Sequence, residues 1–252
     1  MELFEEAGLI LDNGKFNFPE AVERVKIDIG LSVNAPQSQA WITADPGLFV
    51  LGFEPVKSNL DQIKAASSDW ELKLSSEFIG SQIALLRTAL FSRHIPEGLA
   101  MYVTKDDPGC SSLLEPTSFE IDRVERVSVR SLNEILEYFP FDRIPLIDHV
   151  KIDAQGADFE ILAGATSYLD RIFAVTLEMD TQEYQKSTNS HEHVQQFMAL
   201  NNFVLVKPGL LRHFIYLMRG YRIDVETEDP TYINLNQIKT SRSRRFFLYQ
   251  RG

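Results

Sequence analysis

Residues 25–29, Val25-Lys26-Ile27-Asp28-Ile29, form a mostly apolar run that ends against Gly30. Such a run reads as a buried strand, and a glycine at its end lets the chain turn tightly beneath a ligand. Residues 48–53, Leu48-Phe49-Val50-Leu51-Gly52-Phe53, are a second buried strand, with Glu54 and Pro55 at its carboxyl end. Between them, residues 36–42 suit a crossover helix with Pro36 in its first turn, and Asp45-Pro46-Gly47 turns the chain into the second strand. Pro55 stops that strand, and residues 56–66 read as the next helix. The pattern then recurs: residues 149–153 form a strand ending in Asp153, Ala154-Gln155-Gly156 turns, and a helix runs over 157–164. Residues 173–180 are a third strand, ending in the carboxylates of Glu178 and Asp180.

The remaining pattern is weaker. Residues 1–24 read as a short helix or cap with a turn at Asn13-Gly14, an N-terminal extension to the rest. Residues 67–80 show no clear period and form a variable connection. Residues 83–91 and 99–103 are strand-like, parted by His94-Ile95-Pro96-Glu97-Gly98, and residues 124–130 alternate as a half-exposed strand does. Ser131 caps the helix that follows, and Glu134 completes a capping box. Asn189 or Ser190 caps a helix reaching Leu200, and residues 203–206 and 245–249 are strands. Strands alternating with helices predict an α/β fold with a doubly wound, mostly parallel sheet, in one domain over residues 1–252.

Acids at strand ends give this sheet its chemistry. Ligands of open α/β sheets sit outside the carboxyl ends of the strands, and an acid about 20 residues past the first glycine takes the ribose hydroxyls of a nucleotide. Gly30 to Glu54 fits that spacing, with Asp28 preceding the turn. A dinucleotide, however, needs three glycines so that backbone approaches a pyrophosphate. Here Gly30 is followed by Leu31-Ser32-Val33-Asn34-Ala35. A phosphate-free nucleoside fits better than NAD or FAD, and S-adenosylmethionine is the obvious one. The plainer alternative is that Asp28 and Glu54 are strand ends facing water.

Composition narrows the picture further. At 252 residues the chain is long enough for one large core without dividing. A formal net charge of −11 disfavours nucleic acid and anionic lipid as partners. The basic cluster Lys239-Thr240-Ser241-Arg242-Ser243-Arg244-Arg245 is the exception, read as a solvated loop or as an anion contact. Cys110 is the one cysteine, so neither an internal disulfide nor a cysteine-built zinc site can form. The amino terminus lacks the basic start of a signal peptide, and no apolar run reaches the ~20 residues of a membrane helix, so a cytoplasmic protein is expected.

In their order and spacing these blocks resemble the FkbM-type S-adenosylmethionine-dependent methyltransferases, from about residue 25 to residue 178. Asp28-x-Gly30 resembles the family's cofactor loop, and Phe53-Glu54-Pro55 its ribose-binding strand end. Ser111-Ser112-Leu113 resembles a serine pair midway, and Val129-Arg130-Ser131-Leu132-Asn133-Glu134-Ile135-Leu136 a strand-to-helix step. Lys151-Ile152-Asp153-Ala154-Gln155-Gly156-Ala157-Asp158 resembles its most characteristic segment, and Glu178 its later strand-end acid. The resemblance implies a Rossmann-like, class I methyltransferase fold, with Asp28, Gly30, Asn34, Glu54 and Pro55 at the cofactor. Two departures stand out. Asn34 replaces a second glycine, and Gln155 replaces an acid, keeping hydrogen bonding without charge.

Methyl transfer from a sulfonium is an in-line displacement, so the methyl group must be buried beside an oriented nucleophile. A hydroxyl nucleophile loses its proton as it attacks and calls for a base or a metal. Asp153, at the end of the strand expected beside the cofactor strand, is the candidate base, with Glu178 as the second catalytic acid. Asp153 could equally anchor the turn at Gly156. Asp153, Glu178 and Asp180 also offer the oxygen ligands a divalent cation takes, and acids at strand ends serve structure as well. His191 and His193 are two residues apart on a helix and cannot face one site together. The leading expectation is O-methylation of a small acceptor, a sugar, glycolipid or secondary metabolite, with residues 67–80 and 207–239 forming its pocket. A regulatory domain that kept the fold without the chemistry and a nucleotide-dependent oxidoreductase are the alternatives.

Overall fold

The computed structural model describes residues 2–67, 69, 71–179, 183–185, 187, 190–206 and 230–240. The expected strand at 245–249, Asp180 and Asn189, most of the expected acceptor loop and most of the basic cluster lie outside them.

The chain opens with helix α1 (Glu2–Glu6) and a small hairpin, β1 (Leu11–Asp12) and β2 (Lys15–Phe16). The hairpin turns at Asn13 and Gly14, both in the left-handed region at φ 49° and 75°, the geometry an Asn-Gly pair adopts most readily. Aromatic side chains carry this extension onto the main body: Phe4 packs on Phe16 and Tyr138, and Phe18 on Phe49 and Phe139.

Strand β3 (Arg24–Ile29), helix α2 (Pro36–Ala44), β4 (Leu48–Phe53), α3 (Lys57–Ala65) and β5 (Ile83–Leu86) follow in turn. All three strands are parallel, with β3 pairing β4 and β4 pairing β5. Central parallel strands are covered on both faces, which is why β4 reads as unbroken apolar sequence. Its side chains divide between two cores. Leu48 and Val50 join Trp41, Ile42, Leu60 and Ile63 of α2 and α3 on one face, while Phe49, Leu51 and Phe53 join the larger cluster on the other.

The run 83–91 is not one strand. After β5 the chain breaks at Arg87-Thr88 and begins β6 (Ala89–Phe91) in a second sheet with β7 (Ile95–Thr104) and β8 (Ile121–Ser131). Thr88, fully buried, fixes the break by donating through its hydroxyl to the carbonyls of Ala89 and Ser128, both at 3.1 Å. The β7–β8 pairing is antiparallel and β6 runs parallel to β8, a mixed annex to the main sheet.

Ser131 caps α4 (Leu132–Leu136) through the capping box with Glu134. Strand β9 (Ile147–Ile152), α5 (Asp158–Ala163), β10 (Ile172–Leu177), α6 (His191–Leu200), β11 (Phe203–Val206), β12 (Thr231–Asn234) and α7 (Leu235–Thr240) complete the described chain. Ser190 caps α6 through the His193 amide. The main sheet has the order β11-β12-β10-β9-β3-β4-β5, with β12 antiparallel to both neighbours. The strand β12 has no counterpart in the periodicity. The order reverses between β3 and β9, which lie side by side and parallel. That reversal opens a crevice at the carboxyl ends of β3 and β9.

Candidate functional site

A cleft of about 270 Å³ occupies this crevice, near the lower end of the roughly 300–1,000 Å³ typical of small-ligand sites. Its floor comprises Gly30 and Ser32 after β3, Glu54 and Pro55 after β4, and Asp153 to Gln155 after β9. The annex sheet supplies one wall through Ala89, Leu90 and Met101, and the loop Asp107–Ser111 another.

Gly30 is required by this geometry. It has φ 83°, and a Cβ there would stand 1.8 Å from the Asp153 carbonyl oxygen. The two strand ends therefore touch through bare backbone, and the Asp153 amide donates to the Ile29 carbonyl at 3.1 Å. The crossing brings the β9 turn directly against the first loop.

Glu54 is almost sealed, at 4% exposure. One carboxylate oxygen accepts from the Val56 amide at 2.9 Å and from Asn59 Nδ2 at 3.3 Å, the other from the Ser32 amide at 3.0 Å. Burial outweighs these donors and pushes its pKa from 4.5 up to about 8. The loop is thus pinned to the β4 end through a carboxylate that still borders the cleft. Ser32, at φ 55°, aims its amide at Glu54. Neither Ser32 nor Asn59 is marked out by sequence pattern, because their roles arise from the turn and from the first turn of α3.

Asp153 receives the opposite treatment. Lys151 Nζ lies 2.9 Å from its Oδ2, and Gln155 Nε2 donates to Oδ1 at 2.9 Å. Burial alone would raise its pKa, but Lys151 and the hydrogen bonds around it hold the carboxyl below its ordinary value. Lys151 itself stays charged, because Asp153 and Asp28 more than offset its burial. Gln155 Nε2 also donates to Glu178 Oε2 at 2.8 Å, which brings Glu178 beside Asp153. Asp158, fully buried, braces the same turn by accepting from the Ala154 and Gly156 amides.

Of the residues expected at a cofactor, Gly30, Glu54 and Pro55 line the cleft. Asp28 lies behind it on the α2 face, accepting from Ser38 Oγ at 2.6 Å, with Lys151 Nζ 3.7 Å from its other oxygen. Alternation explains the placement, since Asp28 and Ile29 must point to opposite faces of β3. Asn34 is also turned away, its Nδ2 donating to the Leu72 carbonyl at 3.1 Å while its own carbonyl accepts from Leu74. Among the described residues no group of three or more His, Cys, Asp or Glu side chains could hold a metal ion. Lys151 Nζ lies between Asp153 and Asp28, and the Gln155 amide bridges Asp153 and Glu178. Cys110 borders the cleft as a thiol, pushed up to about 12 by burial and by Asp107.

The methyltransferase FkbM domain model matches residues 35–205, and the chain belongs to this family. Methyl transfer is therefore its class of reaction, carried on a mixed α/β fold with a large, mostly parallel sheet. No curated protein matches the sequence. Among solved structures, the chain is similar to the crystal structure of a 30S ribosomal A1408 methyltransferase from an uncultured bacterium, at 10% identity and a TM-score of 0.29, over 89% of this chain and 96% of that one. No helix among the described residues is long and apolar enough to cross a membrane.

Proposed function

We propose that the protein is an S-adenosylmethionine-dependent methyltransferase of the class I, doubly wound type, in one domain with residues 1–24 as an extension. Its acceptor is a hydroxyl of a small molecule such as a sugar, glycolipid or secondary metabolite. The observation that carries this reading is the meeting of Gly30, Glu54 and Asp153 in one cleft where the strand order reverses.

The residues fit the cofactor. Gly30, whose missing side chain lets the β3 and β9 ends touch, lines the cleft, and Glu54 borders it with the acceptor chemistry that ribose hydroxyls need. A loop with one glycine offers no pyrophosphate cradle, which speaks against a dinucleotide. When bound, the cofactor supplies an electrophilic methyl group on a sulfonium. Asp153 then accepts a hydrogen bond from the acceptor hydroxyl and orients its oxygen toward the methyl group. Held at a low pKa, Asp153 is a weak base, so it takes the proton late, as charge leaves the oxygen in the transition state. Glu178 stands behind it as the second acid of the site.

Incubating the protein with methyl-labelled S-adenosylmethionine and a panel of neutral hydroxylated acceptors tests this reading. Label entering an acceptor in an alkali-stable ether supports it. Tight cofactor binding without transfer to any acceptor favours the non-catalytic domain, for which the amide at Gln155 is the motivating feature.

A further inference from the structure

The turn after β9 carries a side chain with more partners than a turn requires. Gln155 and Gly156 are both left-handed, at φ 54° and 92°. The Gln155 carbonyl is held by Ser112 Oγ at 2.7 Å. A Cβ on Gly156 would come within 3.2 Å of Tyr184. The backbone of this turn is therefore gripped from both sides.

The Gln155 carboxamide is a junction. Its nitrogen donates to Asp153 at 2.9 Å and to Glu178 at 2.8 Å, and its oxygen lies 2.5 Å from the Tyr184 hydroxyl. The nitrogen donates to a carboxyl oxygen of each acid, and the Tyr184 hydroxyl donates to the amide oxygen. Only one orientation of the amide satisfies all three. The Tyr184 hydroxyl shares its one proton between the Gln155 oxygen and the Cys110 carbonyl, 2.9 Å away, which ties the amide to the cleft wall. Two acids at one strand-end layer ordinarily repel, and the amide donor between them, with Lys151 against Asp153, offsets that repulsion. An acid at position 155 would put a third acceptor where a donor is needed.

We propose that Gln155 is a positioning residue for the reaction, holding Asp153 and Glu178 at fixed aim beside the cleft while Tyr184 fixes the amide. This rests on the assignment of methyl transfer to the cleft. Gln155→Met keeps the length of the side chain and removes its hydrogen bonds. It lowers kcat on the order of 10²-fold, as expected when a reacting group drifts by about 1 Å, and leaves S-adenosylmethionine affinity within about twofold of the parent. Tyr184→Phe leaves the amide free to rotate and lowers kcat less, by about tenfold. In the parent, the two Gln155 side-chain amide protons, assigned by their absence from the Gln155→Met spectrum, are shifted downfield and exchange slowly. Tyr184→Phe reduces both effects.

A Gln155→Met protein with parental kcat, or one that loses melting temperature and cofactor affinity together with rate, overturns the positioning role while leaving the methyltransferase reading intact. Freely exchanging amide protons at ordinary shifts in the parent also overturn it. A parent protein that binds the cofactor and transfers to nothing overturns the functional reading itself, and the role of Gln155 falls with it.

Discussion

Glu54 and Asp153 are carboxylates at the ends of strands on either side of β3, bordering the same cleft, and the fold treats them in opposite ways. Glu54 is sealed among neutral donors, and its pKa rises to about 8. Asp153 is half open, stands against an ammonium, and is held low. A pair of acids driven apart by their surroundings marks a division of labour. In the proposed function Glu54 shapes the loop and meets the cofactor ribose, whereas Asp153, held low by Lys151 and its hydrogen bonds, meets the reacting hydroxyl.

Removing the charge of Asp153 gives the largest effect. Asp153→Asn is expected to lower transfer by roughly 10²–10⁴-fold while keeping most of the cofactor affinity. Transfer rate and calorimetric affinity measured on one preparation check this, and a well-folded variant with near-parental transfer would erase the contrast and pass the role to Glu178.

At Glu54 the expectation is different in kind. Glu54→Ala strips the acceptor from the amides of Ser32 and Val56 and from Asn59, and each buried donor left unpaired costs about 1–3 kcal/mol unless water reaches it. With the cleft adjacent, a net loss of about 2 kcal/mol is expected, or roughly 4–8 °C in melting temperature. Cofactor affinity should also fall about tenfold or more. Stability and binding thus fall together at Glu54 and separate at Asp153. Unchanged melting and binding in Glu54→Ala would make Glu54 an ordinary strand end.

The contrast also shows as a slope with pH. Between pH 4.5 and about 8 the folded protein keeps a proton on Glu54 that the unfolded chain has lost, so this contribution to stability is full below pH 4.5 and disappears as pH rises through 8. Buried His149 acts in the reverse sense. Burial and nearby Lys26 lower its pKa from 6.5 to about 3, so its contribution is present above pH 6.5 and lost toward pH 3. Melting curves across pH 4–9 should show the alkaline decline in the parent and a shallower one in Glu54→Ala. An equal slope in both would place the titration elsewhere.

Much of this arrangement was legible in the chain because its central strands are covered on both faces. Strands β4 and β10 stand out as apolar runs, β3 and β9 carry polar residues among apolar ones, and each of the four is followed by a glycine or an acid. What escaped depended on distant partners. The break at Thr88 is invisible within an apolar run because it is set by the Ser128 carbonyl, 40 positions on. Strand β12 carries polar ends, Thr231 and Asn234, whose side chains are satisfied across the sheet by Thr176 and by the carbonyls of Leu169 and Ile172. The sequence puts Asp28 in the cofactor loop, but the strand's alternation turns it to the opposite face. Gln155 reads in the sequence as the loss of an acid, and only its contacts with Glu178 and Tyr184 reveal a junction.

What the cleft binds comes first. Calorimetric titration of the parent protein with S-adenosylmethionine, with its demethylated product and with NADH is the most direct measurement. Saturable binding of both adenosyl ligands and no heat from NADH are expected. Binding of NADH with no response to either adenosyl ligand would contradict this expectation.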